Sequence, residues 1–147
     1  QCVSQGTGDL GARMANVWTH AGGGPTLFLG VDSPDLPAEL LESALRGMVE
    51  YDSVVGPVQD GGVWTIAARR YHPDLLRGID WGTDRVYHQA RLAARQANLR
   101  HTTLQTWYDV DKPDDLAKLR NRIVHTSDPD LGRLGDCLDG LQKGDKL

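Results

Sequence analysis

Residues 26–31 read Thr-Leu-Phe-Leu-Gly-Val, an apolar run between the turn formers Gly-Gly-Gly-Pro and the polar quartet Asp-Ser-Pro-Asp. Six residues are too few for an amphipathic helix, and unbroken apolarity is the pattern of a strand covered on both faces of a parallel sheet. Such a strand demands helices on either side, and the flanking sequence supplies them. Residues 9–20 set Leu10, Met14, Val17 and Trp18 at helical spacing. Residues 37–49 place Pro37 at the first helical position and predict Leu41, Ala44, Leu45 and Met48 inward.

The pattern continues along the chain. Ser-Val-Val-Gly-Pro-Val (53–58) and Val-Trp-Thr-Ile-Ala-Ala (63–68) are strand-like, and the Gln-Asp-Gly-Gly between them signals a hairpin. Thr83 is a candidate N-cap for a helix carrying Val86, Ala90, Ala93 and Ala97 on one stripe. Residues 102–110 alternate enough for a strand. Asp114 and Asp115 then fall in the first turn of a helix at about 113–125, where the dipole favours acids. Leu131, Leu134, Leu138 and Leu141 give a last helix at 130–142 one narrow apolar face. Helices alternating with strands predict an α/β fold of three layers, α/β/α, with a mixed, mostly parallel sheet and one hairpin.

A chain of 147 residues is one ordinary domain. Its net charge of −4 argues against a nucleic-acid surface, and no apolar run approaches the ~20 residues of a membrane span. Cys2 and Cys137 form no CxxC pair, and the five histidines are scattered, so two reduced thiols and no zinc site are expected. With no basic-then-apolar leader visible, the expected location is the cytoplasm. The sequence opens on Gln1 rather than Met, as a processed or partial chain would.

Several stretches carry possible chemistry. Asp32 directly follows the 26–31 strand, at the carboxyl end where ligands of open α/β sheets bind. The plainer reading makes Asp32 and Ser33 a turn and gives Asp35 to the start of the next helix. "WYDVDKPDDL" (107–116) repeats the arrangement with Asp109 and Asp111. Two strand-end acid clusters can converge on one pocket, and oxygen-only ligands suit Mg²⁺ or Mn²⁺. "QDGGVW" (59–64) is a turn whose glycines would also let a ligand approach the main chain. "QGTGDLG" (5–11) enters a helix as an anion- or base-holding loop could, without the Gly-x₄-Gly-Lys-Ser/Thr phosphate pattern. In "GIDWGTDRV" (78–86), Trp81 reads as a stacking face for a sugar or base, or as a core plug. No Gly-x-Ser-x-Gly occurs, and neither cysteine has an evident base partner, so covalent nucleophilic chemistry is unsupported.

Taken in order, "QGTGDLGARM", "FLGVDSPDLP", "VVGPVQDGG", "GIDWGTDRV" and "WYDVDKPDDL" resemble GT-A-fold proteins, uncharacterised or of the arsenosugar-biosynthesis glycosyltransferase type. These are relatives of the molybdenum-cofactor-type nucleotidyltransferases. The resemblance spans residues 5 to about 120. It implies a metal-binding acid at Asp32, a second at Asp111 and a third contact at Asp109, with Asp32 and Asp111 central to catalysis. Gln5, Gly6, Gly8 and Asp9 would meet the nucleotide, and Asp60, Gly61, Gly62 and Trp81 the acceptor or sugar. The metal would neutralise the diphosphate and stabilise the leaving group.

Two departures from the family pattern accompany this. After Asp-Gly-Gly, relatives usually continue with an aromatic and "LIGL"-like residues, whereas this chain has "VWTIAA". Relatives also precede the QGTGDLG-like motif with an opening strand and a basic, Gly-containing loop that grips phosphates. On this resemblance, residues 1–126 are the C-terminal portion of a transferase-like domain and 127–147 its terminal helix and tail. The expectation is a transferase acting on a nucleotide-sugar or nucleoside triphosphate, impaired by loss of that loop. The other reading is a non-catalytic remnant, dimeric through an exposed 26–31 edge and the leucine stripe, binding a small ligand or protein. A Mg²⁺-dependent phosphohydrolase carries less weight, since no residue is placed as a water-activating base.

Overall fold

The computed structural model describes residues 3–144 of the chain. Helix α1 (Leu10–His20) starts where Asp9 accepts the Ala12 N–H through its side chain at 2.7 Å. It is followed by strand β1 (Thr26–Leu29), helix α2 (Ala38–Glu50), and strands β2 (Ser53–Pro57) and β3 (Val63–Ala68). A 3₁₀ turn at Pro73–Leu75, helix α3 (Val86–Gln96), strand β4 (His101–Thr103), and helices α4 (Pro113–Val124) and α5 (Pro129–Gly144) complete the order. The chain divides into two compact units between Asp109 and Val110, so the whole sheet lies in the first and α4 with α5 make the second.

The sheet runs β1-β3-β2-β4. β3 is antiparallel to both its neighbours, and β2 pairs with β4 in parallel, so three strands point one way and one against them. The expected β2–β3 hairpin is present, with a register irregularity between Gly56 and Pro57. Alternate strand residues serve opposite faces. Val55 and Ile66 join Trp18 of α1 and Val86, Ala90 and Ala94 of α3 in one core cluster. Trp64 joins Leu40 and Ala44 of α2 in the other, and Val54 faces Gly47 of that helix. Helices therefore cover both faces, giving the three-layer α/β architecture.

Four local expectations need correction. β1 is not buried on both faces: it is an edge strand, half-buried along its length, with Leu29 48% exposed. In α2, which begins at Ala38 after Pro37, the buried residues are Leu40 and Ala44, Leu41 and Met48 are half-buried, and Leu45 is 51% exposed. Thr83 does not cap α3. Its hydroxyl donates to the Asp80 carbonyl at 2.7 Å and accepts the Arg85 N–H at 3.3 Å, closing a turn before the helix starts at Val86. The 102–110 strand shrinks to His101–Thr103, and beyond it only an isolated bridge between Val58 and Trp107 continues the pairing with the β2 side.

In the second unit, Leu131, Leu134 and Leu138 are half-buried, and Gly135 of α5 brings the helix close to Ile123 of α4. The leucine stripe thus lies on a helix already packed against another. The side chain of Leu141 falls outside the described residues, as does Cys2; Cys137 is exposed. Among the described residues no helix is long and apolar enough to cross a membrane.

Candidate functional site

The Asp-Ser-Pro-Asp quartet leaves the sheet as soon as β1 has made its last bond to β3, from the Gly30 N–H to the Trp64 carbonyl at 2.9 Å. Its members then take opposite fates. Asp32 is exposed at the carboxyl end of β1, beside a Val31 that is 96% exposed. Ser33 and Asp35 turn inward. Ser33 donates its hydroxyl to the Tyr108 carbonyl at 2.9 Å. Asp35, only 2% exposed, accepts the Tyr108 hydroxyl at 2.5 Å and the Trp107 indole N–H at 3.4 Å. Asp35 therefore does not start α2, whose N-cap is Pro37 with no side-chain bond. It ties the "WYD" segment to the end of β1.

Asp32 lines a cleft of about 400 Å³ with Gln5, Leu10, Met14, Phe28, Val31 and Trp81. Three residues assigned from sequence to metal, nucleotide and acceptor thus share one opening, at the strand end where ligands of this architecture bind. The walls are largely apolar, with the Gln5 amide and the Asp32 carboxylate as polar groups. Trp81 stands between core and cleft. It packs against the first core cluster, and it presents itself to the cleft, with an indole N–H that is buried and has no hydrogen-bond partner. Gly11 is where it is because α1 crosses here: a Cβ on Gly11 would stand 2.5 Å from the Trp81 Nε1 and 2.3 Å from the Leu76 carbonyl oxygen. Gly6 and Gly8 carry φ of +75° and +109°, which shape the loop that delivers Gln5. Asp9 is engaged as the cap of α1.

The hairpin loop is built differently. Asp60 accepts the Gly62 N–H at 2.9 Å, and Gly61 adopts φ +96°. A Cβ on Gly61 would lie 2.0 Å from the Asp84 carbonyl oxygen, and the Gly61 carbonyl accepts the Tyr87 N–H at 2.9 Å. The room left by that missing side chain is taken by the chain's own segment before α3. One carboxylate oxygen of Asp60 lies within 4.8 Å of one from Asp109, in the same unit. Asp111 follows two residues later, at the start of the second unit. Asp32 is not one of the carboxylates gathered there. Asp115 is committed to helix α4: Lys118, hydrogen-bonded to it at 2.9 Å, holds its carboxyl below the ordinary value, and it accepts the Lys112 N–H.

Sequence alone puts Asp60 with the acceptor and does not reveal its approach to Asp109. Nor does it reveal the clasp of Ser33 and Asp35 on residues 107–108. The sequence suggests that the two strand-end motifs converge, and leaves unread that Ser33 and Asp35 meet Trp107 and Tyr108.

Residues 1–83 match the model of a family described as "Uncharacterized protein conserved in bacteria (DUF2064)". The chain belongs to this family. The structure also resembles a crystal structure from Desulfovibrio desulfuricans G20, described as a "putative nucleotide-diphospho-sugar transferase", with a TM-score of 0.77 and 35% sequence identity. That likeness covers 91% of this chain and 62% of the other, so the chain spans less than two thirds of that protein's length. No curated protein matches the sequence. The fold is that of a nucleotide-diphospho-sugar transferase, and the DUF2064 chain is transferase-like in architecture.

Proposed function

We propose that the DUF2064 chain belongs to a metal-dependent transferase of the cytoplasm that acts on a nucleotide-sugar or a nucleoside triphosphate. The observation that carries this reading is the cleft at the carboxyl end of β1, where Asp32, Gln5 and Trp81 meet in a fold shared at 35% identity with the D. desulfuricans protein. The arsenosugar-type and molybdenum-cofactor-type resemblances bracket the two reaction classes, glycosyl and nucleotidyl transfer.

The donor chemistry fits a hard divalent cation. Asp60 and Asp109 offer two carboxylate oxygens within 4.8 Å, with no sulfur or imidazole donor among them. On the resemblance Asp32 and Asp111, with Asp109, are the candidate ligands for Mg²⁺ or Mn²⁺. Asp60 is added as the carboxylate beside Asp109, whereas Asp32 lines the cleft and is not one of that pair. An ion when bound would neutralise phosphate charge. The chain's own residues do the positioning. Trp81 and the apolar cleft walls provide a surface for a flat ring, and the Gln5 amide can both donate and accept toward a base edge. Asp60, Gly61 and Gly62 form a rigid rim for an acceptor. Chemistry of this type is largely orientation and electrostatics, and needs no protein nucleophile.

Calorimetric titration of Mn²⁺, followed by UDP- and GDP-sugars and nucleoside triphosphates, tests the reading. Binding that requires Mn²⁺ and is lost in Asp32→Asn is the expected result; a folded protein that binds none of them would overturn it. One observation favours a second reading, a non-catalytic dimeric form that binds a small ligand or a protein. β1 is an edge strand with Leu29 and Val31 exposed beside it. Light scattering at micromolar concentration decides it, and a monomer removes that reading.

A further inference from the structure

We propose that Asp35 is a positioning residue, a buried carboxylate that fixes residues 107–108 so that Asp109 stands beside Asp60. The functional meaning of that placement rests on the metal reading above; the placement itself does not.

Asp35 is an unusual residue to bury. At 2% exposure it has lost its water, and an apolar side chain of the same size would fill the space without that penalty. What the carboxylate adds is direction. Its two oxygens meet two donors on consecutive residues, the Trp107 indole N–H and the Tyr108 hydroxyl. Ser33, two residues upstream, takes the Tyr108 carbonyl, which belongs to the peptide bond leading into Asp109. Both aromatic side chains and the main chain beside Asp109 are therefore clamped from one turn.

The opposite side of the segment is held by β2, through the Trp107 N–H to the Pro57 carbonyl at 3.0 Å and the bridge between Val58 and Trp107. Val58 also begins the hairpin loop: its N–H donates to the Gly62 carbonyl at 3.1 Å, enclosing Asp60. The two carboxylates thus sit on segments that share one anchor at residues 57–58. Rotation about that anchor would separate them, and the Ser33–Asp35 clasp opposes the rotation. The acids of the quartet therefore divide their roles. Asp32 faces the cleft, and Asp35 aims an acid on another segment.

The test reports proximity without needing a ligand. In the full chain with Cys2→Ser and Cys137→Ser, the pair Asp60→Cys and Asp109→Cys is oxidised with diamide, and the disulfide is followed by mass spectrometry. The rate is then compared after adding Asp35→Ala, Asp35→Asn or Ser33→Ala, all at a temperature where circular dichroism shows the protein folded. Loss of two hydrogen bonds to a buried acceptor predicts cross-linking slowed about tenfold in Asp35→Ala. Asp35→Asn, which keeps one acceptor oxygen, falls between. A merely structural role would lower the melting temperature and leave the rate in folded protein unchanged, and that result overturns the proposal. Should Asp35→Ala fail to fold, Asp35→Asn and Ser33→Ala carry the same comparison. Mn²⁺ titration of the unmodified chain by electron paramagnetic resonance separates the two readings. No Mn²⁺ binding with Asp35-dependent cross-linking removes the metal and keeps the positioning; Mn²⁺ binding with Asp35-independent cross-linking does the reverse.

Discussion

β1 and β2 look alike in sequence and are unlike in the molecule. Each is a short, largely apolar strand with a glycine near its end, yet every residue of β2 is buried while β1 is half-covered. β2 lies between β3 and β4, whereas β1 closes the sheet. Their glycines show what the difference consists of. A Cβ on Gly56 would stand 2.2 Å from the ring of Trp64, which is fully buried and donates its indole N–H to the Gln105 carbonyl at 3.1 Å. A Cβ on Gly30 would meet the tip of Asp32 at 2.8 Å and otherwise only ordinary contacts. One glycine makes room for the core; the other stands beside the candidate site. Apolar composition says that a strand will be covered, and the partner that covers it comes from elsewhere in the chain.

The contrast is tested most severely at Gly56. Gly56→Ala drives a methyl into an indole that is packed on all sides and hydrogen-bonded, and should destabilise the protein by about 3 kcal/mol. The shift in urea midpoint measures it. Thr at Leu29 or Val31, on the open edge, should change stability by no more than about 0.5 kcal/mol. A tolerated Gly56→Ala would mean that Trp64 is not what seats β2.

Gly30→Ala comes next and separates stability from binding. Because the Asp32 side chain can swing aside, the expected loss of stability is below about 1 kcal/mol. The same swing moves the carboxylate that lines the cleft, so Mn²⁺-dependent nucleotide binding should weaken while the melting temperature holds. Calorimetry and thermal unfolding on one preparation check both halves. Binding that is unaffected would place the ligand away from Asp32.

What was legible in the sequence was what local chemistry decides. The hairpin followed from its glycines, α1 and α4 from their polar starts, and Asp32 from standing where an apolar run stops. Less local facts were not legible. Nothing in "TLFLGV" itself reports which strand lies beside it: its residues read as a strand covered on both faces, and only the family resemblance put it at an exposed edge, where the sheet order has it. Thr83 has the side chain of an N-cap, and only the position of Asp80 turns it to another use. Asp32 and Asp35 have the same chemistry on either side of a turn; which is buried depends on Trp107 and Tyr108, far along the chain. The approach of Asp60 to Asp109 is likewise a product of folding, with no local signature.

The two edges of the sheet supply the finest test. β1 carries no titratable side chain, whereas β4, at the other edge, carries His101. His101 is half-buried, its Nδ1 is enclosed without a partner, and its Nε2 lies 3.5 Å from the Thr103 hydroxyl oxygen. Burial, and then the nearby Arg91 charge, hold its pKa below the ordinary 6.5. The folded state therefore takes up this proton less readily than the unfolded chain. Between the lowered folded value and 6.5 the unfolded state binds more protons, so stability rises with pH across that window. On acidification from pH 7 the protein should begin to lose stability near 6.5, and the loss should level off once the folded value is passed. Asp52, whose carboxyl is held low by its hydrogen bond from Arg100, contributes stability that is lost only below its ordinary 3.8, in a separate window. Urea unfolding from pH 7.5 to 5 should therefore give a slope that His101→Gln flattens. An unchanged slope in that variant would place the titrating group outside β4, and that edge would then be as silent toward acid as β1.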